Sequence, residues 1–353
     1  MTELRYKAPD LLSMARSLFF AAGLEPEKAD AVATYLVEAD LMGHSTHGLA
    51  LAAWYLQSIA DGIMTKSGAP EVVSDRGPSI CWNGRRLPGA WLTSQAVKLA
   101  VERAEKYGTA TVVIGDSHHI GALAAYLQIS TDRGMMVSIT SSSPSGQQVA
   151  PFGGTKGLYT PNPVAHGIPT PDGPILIDIS ASITTNNMAQ RLIREGRIYE
   201  ADWLMDSAGN PSRDPKVLEA GGTLLPTGGL DHGQKGYGMA LQAEAFTQGL
   251  AGYGRADKPK GTNAAVTVQV WDPAAFGGND AFLRQTGWLA DACRANPPRP
   301  GVARVRLPGE AALARKRAAL ENGVPLYPTI MDSLIQIADR LNVSLPVPLT
   351  AAA

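Results

Sequence analysis

Between Thr93 and Ser141 the chain changes its hydrophobic period three times, and no other feature restricts the fold as much. Thr93–Tyr107 carries apolar residues at three- and four-residue spacing and stops at Gly108, after which Thr109–Ile114 is a β-branched run. Ile120–Arg133 returns to the helical spacing and stops at Gly134, and Met135–Ser141 is again an apolar run of strand type. A period near 3.6 lays one apolar stripe along a helix, whereas β-branched runs suit a pleated surface. Helix, strand, helix, strand at this spacing predicts the layers of an α/β protein.

The flanking segments extend that reading. Asp10–Ala22, Glu25–Asp40 and Leu49–Ala60 are amphipathic and predict three helices, with Gly43-His44-Ser45-Thr46-His47-Gly48 as a histidine-bearing turn between the last two. Glu71–Ser74, Ser79–Trp82, Ile175–Ile179, Val266–Trp271 and Val302–Leu307 read as strands. Met188–Gly196, Tyr237–Leu250, Asp280–Ala295, Glu310–Glu321 and Thr329–Leu341 read as helices, with Ala201–Asp214 a loop. Ser142–Pro163 is dense in Gly, Pro, Ser and Asn and too long for a plain connection, which marks a functional loop region. Gly221–Gly236 is a second glycine-rich stretch.

Charge and cysteine content exclude whole classes of partner. Lys and Arg number 31 against 32 Asp and Glu, a net charge of −1, so the chain lacks the electrostatic footprint of a nucleic-acid or anionic-membrane binder. Cys81 and Cys293 stand alone, without a CxxC, which leaves no disulfide framework and no zinc-thiolate site and points to a reducing compartment. Met1–Pro9 leads into a helix interrupted by Arg16 rather than into a signal core, and no stretch reaches the roughly 18 apolar residues of a membrane span. The expectation is a cytoplasmic protein.

Chemistry concentrates in the histidines. Of His44, His47, His118, His119, His166 and His232, the first two share one turn. Asp116-Ser117-His118-His119 sits where a strand gives way to a helix, the strand end at which α/β sheets usually bind ligands. A histidine there is a candidate general acid or base, because its ordinary pKa lies near operating pH. The same residues also suggest three imidazoles around a metal, although no HExxH occurs and Asp116 reads equally as a helix cap. No G-x-G-x-x-G follows a predicted strand and no Walker motif occurs. Instead Ala150-Pro151-Phe152-Gly153-Gly154-Thr155-Lys156-Gly157, Pro226-Thr227-Gly228-Gly229 and Lys235-Gly236-Tyr237-Gly238 offer turns and a helix start whose backbone amides suit phosphate.

Taken in order, these segments resemble the malate/L-lactate dehydrogenase family of NAD(P)-dependent oxidoreductases, whose fold is not the Rossmann fold. The resemblance runs nearly full length. It rests on Asp40-Leu41-Met42-Gly43 with Thr46-His47-Gly48, Ser117-His118-His119-Ile120-Gly121, Ala150–Gly154 with Asn162-Pro163, Asp178-Ile179-Ser180 with Ser182, Trp203, and Asp206 with Gly209. Asp214-Pro215, Pro226-x-Gly228-Gly229 with Lys235–Gly238, and Pro308-Gly309-Glu310 complete it.

The resemblance implies an α/β fold with helical terminal segments and a mainly β nucleotide-contacting region, divided as residues 1–115 with 280–353 and residues 116–279. It implies hydride transfer between NAD or NADP and a 2-hydroxy or 2-oxo acid, or a related carbonyl or imine, in a homodimer without a metal. His119 would pass the proton and His47 would line the pocket, both as catalytic residues, with Thr46 and His118 binding substrate. Ser143, Asp178, Ile179, Ser180 and Lys235 would hold the cofactor. Three positions depart from the family pattern. Leu51 stands where the family has an arginine that clamps the substrate carboxylate, Thr160-Pro161 replaces Gly-Thr, and Ile120 replaces an aromatic residue. An alkyl chain cannot replace a bidentate guanidinium, so either another cation such as Arg85, Arg86 or Arg191 serves, or the substrate is not a simple 2-oxo acid. A metal-dependent hydrolase or lyase, and a non-catalytic ligand-binding member of the fold, are the rival readings.

Overall fold

The amphipathic N-terminal segments form helices α1 (Ala8–Ala21), α2 (Pro26–Met42) and α3 (Ala52–Ala60), each with one apolar face in the core. A proline in the first turn starts α1 and α2, where its fixed φ is already helical, and Gly43 at φ 85° ends α2. This computed structural model describes residues 4–349; residues 1–3 of the stretch weighed as a signal segment, and residues 350–353, lie outside it.

The first strand, β1 (Leu4–Tyr6), pairs with the last, β12 (Val324–Leu326), and ties the two ends of the chain together. The central sheet has seven strands: β2 (Glu71–Asp75), β3 (Ser79–Asn83), β4 (Thr109–Ser117), β5 (Met136–Ser142), β6 (Val164–Ile168), β7 (Ile175–Ile179) and β11 (Ala264–Trp271). Their spatial order is β2-β3-β4-β11-β5-β6-β7. The α/β expectation holds with a qualification of topology. Only β3 and β4 pair in parallel, joined through helix α4 (Gly89–Tyr107), while β11 inserts antiparallel between β4 and β5. Because β4 and β5 both oppose β11, they run in the same direction one strand apart, which is how helix-strand alternation arises in a mostly antiparallel sheet.

Two buried clusters divide the molecule. The larger joins α1–α5, the sheet and α11 (Pro328–Leu341), where α5 is Ala124–Thr131. The smaller draws on Val149, Tyr159, Ala181, Leu192, Leu204 and Ala240. Around it lie α6 (Asn186–Glu195), α7 (Gly229–His232), α8 (Gln234–Glu244) and a small sheet of β8 (Leu204–Met205), β9 (Pro211–Ser212) and β10 (Thr223–Leu224). The central sheet therefore crosses the boundary drawn from the sequence at residues 115/116, which falls within β4, with β2 and β3 on one side and β5, β6, β7 and β11 on the other.

Two segments differ from the sequence reading. Ile120–Leu123 is not helical, because Gly121 takes φ 71° and the Tyr126 hydroxyl donates to the Ile120 carbonyl, so the chain turns before α5 begins. Val302–Leu307 forms no strand; it runs between α9 (Asn279–Ala295) and α10 (Glu310–Asn322), and the chain meets edge strand β7 just beyond it, where the Leu176 N–H donates to the Pro308 carbonyl at 3.2 Å.

Candidate active site

Two turns carry the histidines to one place, and each is fixed by a buried contact. In the first, Asp40 reaches back from α2 and its Oδ2 accepts the Leu49 N–H at 2.7 Å. The same carboxyl fills the space that a Cβ on Gly48 would need. Asp40 is 4% exposed and its Oδ1 has no partner, and burial pushes its pKa up to about 8. The turn orients Thr46, whose hydroxyl lies 2.9 Å from His47 Nδ1, so His47 Nε2 is left for the cleft.

The second turn follows β4. His118 donates its N–H to the Leu87 carbonyl, and Gly89 lies so close that a side chain there would strike the carbonyls of His118 and His119. The two neighbouring histidines then part. His119 is half-buried, and its ring stacks on His47 with centroids 6.1 Å apart and planes at 25°. His118, expected to bind substrate, is instead wholly enclosed at 0% exposure behind Tyr55, edge to face at 5.2 Å, with neither ring nitrogen partnered. Its place in the tight turn sends the side chain into the core, so it forms a wall of the site and does not face the cleft.

Tyr55 organises His119. Its hydroxyl lies 2.6 Å from His119 Nδ1 and 3.2 Å from the His119 carbonyl oxygen. When it donates to the carbonyl it accepts Nδ1–H, and Nε2 then carries the free lone pair of a base. The Gly121 N–H donates to the same Nδ1 at 3.3 Å in the alternative tautomer, in which Tyr55 also donates to Nδ1 and Nε2 carries the proton. Burial pushes His119 down to about 3, with His47 and His118 adding to the shift, and pushes His47 down to about 4 with His44 adding. Both rings are neutral near pH 7. Tyr55 is held well above its ordinary pKa by burial, so its hydroxyl keeps its proton. Trp54, beside Tyr55 on α3, is 39% exposed with its ring 5.3 Å from that of His119.

The second lobe closes the other side. Asn187 of α6 donates to the Thr46 carbonyl at 3.3 Å and ties the smaller lobe to the first histidine turn. Asp178, at the end of β7, accepts the Ala124 N–H at 2.9 Å; burial raises its pKa and neighbouring His44 opposes that rise. Ile179 follows with 48% exposure. The Ser180 carbonyl accepts the Thr227 hydroxyl at 3.0 Å, and the Thr227 carbonyl accepts the Gly236 N–H at 3.0 Å, which places Ser180 near Lys235 on the first turn of α8. Pro151–Thr155 and Leu224–Pro226, both marked in the sequence, come together around a cavity of about 250 Å³. An exposed ammonium group, helix-start amides and an exposed apolar strand end fit a dinucleotide with anionic and flat aromatic parts. Ser143 lies farther along: its hydroxyl donates to the Asn263 carbonyl at 2.8 Å, and Thr160 and Asn162 link it to the distal half of α8.

Sequence reasoning missed Tyr55, Asp40 and Asn187 as parts of the site. Asp40 left a signal as the first residue of the Asp40–Gly43 motif, and Tyr55 as a tyrosine one helical turn beyond Leu51. Among the described residues, no three His, Cys, Asp or Glu side chains are arranged to hold a metal ion. Arg86 is paired with Asp116 at 3.6 Å, and Arg191 with Glu195 at 2.7 Å while stacked on Tyr327, so neither is free to replace the arginine absent at position 51.

A neutral histidine held by a tyrosine beside a second, glycine-rich lobe fits a two-lobed oxidoreductase. The sequence profile of the malate/L-lactate dehydrogenase family matches residues 6–335, and the chain belongs to that family. It is 31% identical to the L-lactate dehydrogenase of Cupriavidus necator over 350 residues, which span 94% of this chain and 97% of the relative. It is 28% identical to the Delta(1)-pyrroline-2-carboxylate/Delta(1)-piperideine-2-carboxylate reductase of Pseudomonas syringae pv. tomato, over 94% of this chain and 95% of that one. Among solved structures, malate dehydrogenase from Pyrococcus horikoshii superposes with a TM-score of 0.87 at 26% identity, covering 97% of each chain. Malate dehydrogenase from Entamoeba histolytica, at 22% identity, shares the fold with a TM-score of 0.92 over 98% of this chain and 100% of that one. The chain is an NAD(P)-dependent oxidoreductase of the CH–OH or C=N type.

Proposed function

We propose that His119 Nε2 exchanges the proton while hydride passes between the nicotinamide and the carbon of a 2-hydroxy or 2-oxo acid, or of a related imine. The observation that carries this reading is the Tyr55–His119 contact at 2.6 Å, with the neutral His119 ring open toward His47. A bound nicotinamide supplies or accepts the hydride. In the oxidation direction His119 Nε2 takes the hydroxyl proton, and the imidazolium keeps Nδ1–H on the Tyr55 oxygen; in reduction the same nitrogen returns the proton to the carbonyl oxygen or imine nitrogen. His47 Nε2, oriented through Thr46, donates to or accepts from the substrate oxygen. Lys235 and the backbone of Asp178, Ile179 and Ser180 hold the cofactor, with Ser143 beyond them. A positioned histidine contributes roughly 10²–10⁴-fold, and orientation of the reacting carbons supplies the rest.

The structure has no helix among its described residues long and apolar enough to cross a membrane. We place the protein in the cytoplasm on its two unpaired cysteines, and we infer a homodimer from the resemblance and from α9, which buries only Ala290 and leaves Trp288 69% exposed. The test is a panel of 2-oxo acids and cyclic imino acids with NADH and NADPH at 340 nm, before and after chelation. Acid-dependent oxidation of either nucleotide, unchanged by chelator, is expected. Absence of nicotinamide binding by tryptophan fluorescence would overturn the reading, and activity lost on chelation and restored by a metal would favour the hydrolase or lyase.

A further inference from the structure

The position that departs most from the family pattern lies within one helical turn of the Tyr55–His119 pair. Leu51 ends the short turn that runs into α3, and Tyr55 is four residues on, so the two side chains share one face of the helix. Leu51 is 7% exposed and belongs to the main core, so it presents no charge to the cleft. Trp54 stands beside Tyr55 with 39% of its surface open, 5.3 Å from the His119 ring and 5.7 Å from His118. A large exposed apolar side chain against a proton-transfer group is a surface that a ligand can cover. Of the three arginines named as substitutes for a clamp, two are held elsewhere, Arg86 by Asp116 and Arg191 by Glu195.

Building on the oxidoreductase reading, we propose that Trp54, beside the uncharged position 51, is a specificity wall that takes the apolar or aromatic side chain of a 2-oxo or imino acid. The same wall disfavours a second carboxylate, because an anion set against indole loses water without gaining a partner. An aromatic ring there loses only ordered water and gains stacked contact with Trp54.

The test compares kcat/KM for phenylpyruvate, pyruvate and oxaloacetate in wild-type protein, Trp54→Ala, Trp54→Phe and Leu51→Arg, each first checked for an unchanged melting temperature. Apolar pocket contacts discriminate by about 10–200-fold per group. Wild-type protein is therefore expected to prefer phenylpyruvate to oxaloacetate by at least about tenfold. In Trp54→Ala the phenylpyruvate-to-pyruvate ratio falls by about tenfold or more, chiefly through KM, and Trp54→Phe restores most of it. Leu51→Arg moves preference toward oxaloacetate. Turnover with oxaloacetate preferred, or a Trp54→Ala variant that lowers all three acids alike, overturns the wall while leaving the oxidoreductase reading intact. Turnover of none of the three with either nucleotide overturns the wall, and the oxidoreductase reading falls with it only where the cyclic imino acids also fail and no nicotinamide binds.

Discussion

Replacing His119 with alanine removes the imidazole that the Tyr55 hydroxyl holds at the cleft. Turnover is expected to fall by about two to four orders of magnitude, with nucleotide affinity by fluorescence titration unchanged. Tyr55→Phe keeps the ring and removes the partner of Nδ1, so kcat should fall by about ten- to hundredfold, the effect of a lost buried hydrogen bond, and its pH profile should shift with it. His118→Ala separates the neighbours: this side chain is enclosed, so the variant should lose stability by thermal melting and keep far more activity than His119→Ala. The turn that carries both histidines was legible from the Ser117–Gly121 motif. The enclosure of His118 and the partial exposure of His119 were not, because two adjacent residues in a turn leave it in directions that only the surrounding packing selects.

At the level of elements, the site depends on close backbone approaches. A methyl group at Gly89, the first residue of α4, would overlap the carbonyls of His118 and His119. Gly89→Ala should therefore push the second histidine turn away from Tyr55, at a cost of about 1–3 kcal/mol in stability and a larger relative loss in kcat, read by urea unfolding and steady-state rates. Most helices were legible from apolar spacing and glycine stops, as were the strands that became β3, β4, β5, β7 and β11. The Val302–Leu307 run shows the limit of that reasoning: an alternating segment becomes a strand only where it pairs along an edge, and here the chain meets β7 only beyond the run, at Pro308. Likewise the helical period of Ile120–Arg133 yields in its first four residues to Gly121, whose left-handed backbone turns the chain so that His119 faces outward.

Across the whole molecule, buried titratable groups set opposing pH limits. Enclosed His118 is pushed by burial from its ordinary 6.5 down to about 4. Between those values the unfolded chain binds the additional proton, so this contribution is complete above pH 6.5 and is lost as pH falls toward 4, amounting to about 3 kcal/mol at most. Asp40 acts in the other sense: raised from 3.8 to about 8, it is protonated in the fold, so its contribution is complete below pH 3.8 and is lost as pH rises through about 8. Urea midpoints measured across pH are expected to form a dome, with His118→Gln flattening the acid side and Asp40→Asn the alkaline side. A variant dome that matches wild type on the mutated side would contradict the assignment. By itself the sequence determined the family, the α/β class, the histidine turns and the two glycine-rich segments, because periodicity, turn residues and ordered motifs are local properties of the chain. Tertiary structure alone decided that β11 separates β4 from β5, that Tyr55 reaches His119 across 64 residues, and that Asn187 ties the lobes at Thr46. Those pairings join residues remote in the chain, and their free energy comes from burial and hydrogen bonds that exist only once the chain has closed on itself.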